Sequence, residues 1–177
     1  MKLILISLFV YAGGLMAQSR VYDISIPGLD GKSINLADYQ GKKILIAAIS
    51  TANLQSGQLR FLDSLQVSNP SAVIIAVPAS DYKQVNDSVT LDGIKKNSSL
   101  RLVVAAADGV KKGNGAKQNR LIQWLTSVSA NTHFDLDVTT DNQLYVISES
   151  GILFAVLEKG APASLINQLL KQDDVKQ

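Results

Sequence analysis

The chain has 177 residues, 46% of them hydrophobic and 18% charged, with a formal net charge of +2 and no cysteine. That length fits one domain, and so apolar a composition argues against intrinsic disorder. A charge of +2 is too small to argue for nucleic acid or an anionic membrane surface as partner. Without cysteine the chain has no disulfide, no thiolate nucleophile and no thiolate metal ligand.

Met1 to Ala17 reads as a secretory signal peptide: Lys2, then the apolar run Leu3 to Val10, then the small residues Gly13, Gly14 and Ala17. Cleavage is expected between Ala17 and Gln18, leaving residues 18–177 as the domain. The apolar run is short of the ~20 residues of a membrane span, so none is expected after cleavage. The expected location is the periplasm or the exterior. Met1 and Met16 leave with the signal, so the mature chain would hold no sulfur atom.

Val21 to Ile26 alternates, Pro27-Gly28 and Asp30-Gly31 mark a turn, and Ser33 to Leu36 resumes, which predicts an N-terminal β-hairpin. Lys43 to Ser50 is an apolar run of buried-strand type. A helix is expected over Asn53 to Leu65, on Leu54, Phe61, Leu62 and Leu65. A second buried strand follows over Ala72 to Val77, ended by Pro78. Asp81 to Ser99 is polar and weakly patterned, with Asp81 and Gln84 able to cap a short helix. Leu100 to Ala107 is a third strand candidate, and Gly109, Gly113 and Gly115 mark a loop. Leu121, Ile122, Leu125 and Val128 recur at i, i+1, i+4 and i+7, which predicts a helix over Gln118 to Ser127. Two strands, Leu144 to Ser148 and Ile152 to Glu158, flank the turn at Glu149-Ser150-Gly151. Pro162 suits the first position of a final helix striped by Leu165, Ile166, Leu169 and Leu170. Helices alternating with buried strands predict an α/β domain whose central mixed sheet is covered on both faces.

This order is that of the thioredoxin-like fold. Asp30-Gly31-Lys32, Leu36, Tyr39 and Gly41-Lys42, leading into the run to Ser50, resemble the opening of redoxins. Val77 to Tyr82, Asp108-Gly109, Leu121 to Leu125 and the hairpin from Tyr145 through Gly151 to Pro162 resemble the glutathione peroxidase family. The resemblance implies a peroxidatic cysteine or selenocysteine at the start of the helix after the first buried strand. That position here is Asn53, a residue suited to capping a helix and unable to attack peroxide. The family's glutamine falls on Asp81, and its tryptophan and asparagine fall near Thr140 and Asp141. The four former active-site positions are thus Asn53, Asp81, Thr140 and Asp141, and none carries the family's residue.

Other chemistry competes weakly. On a strand, His133, Asp135 and Asp137 would face one side and could hold a hard metal with Asp141; a polar, solvent-facing segment is the plainer reading. Ser50 or Ser56 with His133 and Asp135 could be imagined as a hydrolytic triad, but no G-x-S-x-G string is present. Lys111, Lys112, Lys117 and Arg120 surround glycines that match no phosphate-loop spacing. Trp124 lies on an apolar helix face and reads as packing.

The expectation is therefore an exported glutathione peroxidase-like, thioredoxin-fold protein without thiol peroxidase chemistry. It would act as a binding or interaction module for a protein or small ligand in the cell envelope, with no cofactor and no catalytic residue assigned. A sulfur-free enzyme or metal-binding protein using carboxylates of the former active-site face, and a structural envelope component, are the alternatives.

Overall fold

A computed structural model describes residues 20–50, 57–82 and 100–172, and all structural statements refer to these. The signal-peptide region, Asn53, Ser56, Gln84, the helix expected after Asp81 and the last five residues lie outside them.

Seven strands and four α-helices are described. β1 (Ser25–Pro27) and β2 (Ser33–Asn35) pair antiparallel as a two-stranded hairpin. β3 (Ile44–Ser50), β4 (Val73–Ala79), β5 (Val103–Val104), β6 (Gln143–Ile147) and β7 (Leu153–Leu157) form one sheet in the order β5-β4-β3-β6-β7. β3, β4 and β5 run parallel, and β6 and β7 run antiparallel to their neighbours. The helices are α1 (Gln58–Ser68), α2 (Arg120–Thr126), α3 (Val128–Asn131) and α4 (Ala163–Lys171).

Every residue of β3 and β4 is buried, which explains why they read as continuous apolar runs rather than alternating ones. Ile44, Ile46 and Ala48 face one core with the hairpin's Ile26 and Ile34 and with Leu121 and Leu125 of α2. Leu45, Ala47 and Ile49 face the other, with Leu59, Leu62 and Leu65 of α1 and Ile166 and Leu170 of α4. Both faces of the sheet are therefore covered. Gln66 fastens the β3–α1–β4 crossover: its Nε2 donates to Ala72 O at 2.8 Å and its Oε1 accepts from Ile74 N at 2.9 Å. Asn119 caps α2, accepting from Leu121 N and Ile122 N, a contribution of about 1 kcal/mol.

Several local expectations are corrected. Val21–Asp23 is a 3-10 turn rather than strand, because Val21 tucks into the core and Ile24 N bonds back to Val21 O. Leu36 opens another 3-10 turn, Leu36–Tyr39. The described helix α1 starts at Gln58 with Gly57, in the left-handed region at φ 95°, as its N-cap. Its buried stripe uses Leu59 rather than Phe61, which is 39% exposed. Pro78 does not end β4. It pairs with Ile49, and its carbonyl accepts from Asp108 N beyond the end of β5, where a missing N–H interrupts no strand pair. The third strand shrinks to Val103–Val104, and the hairpin covers its outer edge: Leu29 N donates to Val104 O, and Ala106 N to Pro27 O. The glycine loop contains 3-10 turns over Lys112–Lys117, and Pro162 is the N-cap of α4 rather than its first residue. Trp124 is packing, as expected, at 5% exposure.

Candidate functional site

The carboxyl ends of β3 and β4 and the segment leading into β6 converge. Ser50, the last residue of β3, donates its hydroxyl to Tyr82 O at 3.0 Å, and Asn142 N donates to Ala48 O at 2.7 Å. Asn142 sits at φ 65°, a left-handed conformation that asparagine tolerates better than most side chains.

Asp81 lies in the 3-10 turn after β4 and is a fastener. Its carboxylate accepts from Val110 N, from Lys111 N at 2.9 Å and from Asn114 Nδ2 at 2.7 Å. Burial pushes its pKa up. Hydrogen bonds from Asn114, Lys111 and Val110, aided by the Lys111 charge, outweigh that and hold it below the ordinary value of 3.8. Asp137 does similar work from the other side, accepting from Lys112 N at 2.9 Å and Val138 N at 2.8 Å. Loop 108–118 is thus tied down at two carboxylates.

A buried carboxamide holds the segment before β6. Gln143 Nε2 donates to Asp137 O and to the Tyr145 hydroxyl, and its Oε1 accepts from Thr139 N. Tyr82 reaches the same segment, donating to Val138 O at 2.9 Å. Burial, then the charge of Asp137, raises the pKa of Tyr145 well above that of a free phenol; burial raises that of Tyr82 as well. Both hydroxyls remain protonated at any physiological pH.

Thr140 and Asp141 reach the convergence by different means. Thr140 Oγ1 is buried with no hydrogen-bond partner, and Asp141 pairs with Lys159 at 2.8 Å. On the α1 side lies a cleft of about 410 Å³. Ala47, Ile49, Phe61 and Leu144 give it an apolar lining, and Gln58 and Lys159 supply polar groups. Gln58 Oε1 is buried and has no hydrogen-bond partner. A buried acceptor left unpaired costs about 1–3 kcal/mol.

The sequence read Phe61 only as part of a helix stripe and did not single out Gln58, Asn142, Gln143 or Lys159. Their only signal was position, near strand ends and at a helix start. Of the former active-site positions, the structure brings Asp81, Thr140 and Asp141 to the carboxyl end of the sheet, while Asn53 lies outside the described residues.

The metal arrangement of His133, Asp135 and Asp137 does not form. Residues 133–139 are not a strand, so the alternation that would align the three is absent. His133 Nδ1 bonds Asn131 O at 2.8 Å, Asp135 pairs with Lys112 at 2.6 Å, and Asp137 binds backbone. No group of three or more potential metal ligands occurs among the described residues. Ser50 donates to Tyr82 O, His133 Nδ1 faces Asn131 O and Asp135 pairs with Lys112, so Ser50, His133 and Asp135 form no triad; Ser56 lies outside the described residues. Lys111 stacks over the Tyr82 ring and Lys112 pairs with Asp135, so the basic residues form no common cradle.

Solved structures share this arrangement. The apo form of Trgpx, a glutathione peroxidase-like protein, matches with a TM-score of 0.60 at 14% identity, over 86% of this chain and 93% of that one. A thiol:disulfide interchange protein of the thioredoxin family from Chlorobium tepidum TLS matches at 0.58 and 18%, over 87% and 94%. The exposed lipoprotein thioredoxin Etrx1 from Streptococcus pneumoniae strain TIGR4 matches at 0.57 and 17%, over 84% and 97%. No family model and no curated protein matches the sequence. The fold is therefore thioredoxin-like, an arrangement glutathione peroxidase-like proteins share, and this chain carries it without a single cysteine.

Proposed function

We propose that the protein is an exported, thiol-free module of glutathione peroxidase-like ancestry that binds a ligand or protein partner in the cell envelope. The observation that carries this reading is the cleft at the carboxyl end of β3. It is mostly apolar and open, with Gln58 and Lys159 the polar side chains among its lining. In α/β folds ligands gather where strand ends meet helix starts. Thiol peroxidase and disulfide-exchange chemistry need a thiol or selenol, and the chain has none. Export is supported by the leader-like residues 1–17, and one of the similar structures is of an exposed lipoprotein. No helix among the described residues is long and apolar enough to cross a membrane.

The carboxylate-enzyme reading has less support. Asp81 is committed to three donors and Asp141 to Lys159, which leaves neither set up to move protons.

A photo-reactive phenylalanine analogue at Phe61 tests the proposal, with the same analogue at Val67 as control. Val67 is exposed farther along the same helix. After illumination in the native envelope, a discrete adduct at position 61 and none at 67 is expected, read by mass. Equal labelling at both positions, or none at 61, overturns the binding reading and leaves a structural role. A peroxide assay with glutathione or thioredoxin as reductant should show no turnover above buffer.

A further inference from the structure

A second cleft, of about 550 Å³, opens beside the β6–β7 turn, where Ile44 of β3 pairs with Ile147 of β6. It lies at the opposite end of the sheet from the site above. One wall is the N-terminal segment, clamped onto the turn. The Tyr22 hydroxyl donates to Glu149 O at 2.9 Å, and its ring lies so close to Gly151 that a Cβ there would sit 2.7 Å from Tyr22 Cε2. The facing wall is the 131–133 corner. Asn131, 3% exposed, donates to Trp124 O, Leu125 O and Phe134 O and accepts from His133 N and Phe134 N. Both walls are therefore rigid.

The polar groups lining this cleft have a definite chemistry. Arg20 lines it, and its guanidinium makes no ion pair among the described residues. His133 lines it too, and its Nδ1 faces the Asn131 carbonyl at 2.8 Å. A carbonyl can only accept, so Nδ1 carries a proton, and Nε2 is the nitrogen left for a ligand. Trp124 and Ile152 supply apolar surface between them. Asp23 also lines the cleft, but its carboxylate accepts from Arg20 N.

We infer that this cleft is a binding site for a small organic carboxylate, with the carboxylate on Arg20, its apolar body against Trp124 and Ile152, and His133 Nε2 as a hydrogen-bonding group. A planar guanidinium is the side chain best matched to a carboxylate. The inference is independent of the proposed function, since it uses none of the same residues.

Trp124 is the only tryptophan of the chain and lines this cleft, so its fluorescence reports binding there. Benzoate and its neutral isostere benzamide are titrated into the protein and into Arg20→Gln. A saturable change with benzoate, at least tenfold weaker with benzamide and at least tenfold weaker in Arg20→Gln, is expected. No saturable change, equal affinity for benzamide, or a variant that binds benzoate as well as the parent overturns the assignment. Arg20 is at the surface, so its replacement leaves the core intact, and a circular dichroism melt checks that directly.

Discussion

Asn114 Nδ2 donates to Asp81 Oδ1 at 2.7 Å, joining residues 33 apart in sequence. The same carboxylate takes the backbone N–H groups of Val110 and Lys111, so one side chain fixes one arm of the loop between β5 and α2. Asp81→Ala should destabilise the protein by about 1–2 kcal/mol, reduced from the value for a fully buried charged acceptor by partial exposure. Urea denaturation measures this.

The same carboxylate sets an acid limit. Its folded pKa is lowered from 3.8, so its contribution is complete above that value and fades as pH falls through the lower, folded one. The stability difference between the parent and Asp81→Asn should therefore be constant from pH 7 to pH 5 and shrink below pH 4. Thermal melts across that range decide it. A gap that does not shrink would mean that Asp81 acts through its shape and not its charge.

Gly151→Ala should lower the melting temperature by several degrees. Gly151 has φ 86°, which disfavours any Cβ, and the added atom would collide with the Tyr22 ring. About 1–3 kcal/mol is at stake, at about 2–4 °C per kcal/mol for a domain of this size. Pairing the change with Tyr22→Ala removes the collision and should recover only the steric part of the loss.

Asn131→Asp keeps the shape of a buried side chain and replaces its three donated hydrogen bonds by a charge facing three carbonyl oxygens. A loss of more than about 3 kcal/mol at pH 7 is expected. The introduced carboxyl would have a raised pKa, so the loss should diminish as pH falls below ~5. Urea titrations at pH 7 and pH 4.5 compare the two.

Asn53→Cys tests the alignment with the peroxidase pattern. The resemblance implies a position at a helix start, where a thiol titrates below its ordinary ~8.5. Thiol reactivity followed against pH gives the value, and an ordinary pKa would falsify the placement.

The sheet was legible in the sequence because its inner strands are unusually apolar. Lys43 to Ser50 and Ala72 to Val77 announce strands buried on both faces, and Leu121, Ile122 and Leu125 announce α2. What the sequence hid depends on contacts made across the fold. Val21 alternates with its neighbours as a strand residue would, yet it turns into the core because a helix and a hairpin meet there. His133, Asp135 and Asp137 have strand spacing, but Asn131 and Lys112 take the first two away from any common point. Gln58 and Gln143 near the first cleft and Asn131 at the second are ordinary letters until the fold is in place. Asp81 was singled out through the resemblance, while its bonds to loop 108–118 came only with the fold.

The partners of β3 lie at very different distances along the chain. Its pairing with β4 joins residues about thirty apart, whereas its pairing with β6 joins residues about a hundred apart. Closing the longer loop costs more chain entropy and is the slower event, so the β3–α1–β4 unit should assemble first. Both clefts draw on the later partner: the first needs Asn142 and Leu144, and the second needs the β6–β7 turn. A chain stalled before that closure would own the β3–α1–β4 part of its hydrophobic core and neither cleft, so binding competence itself would mark the end of folding.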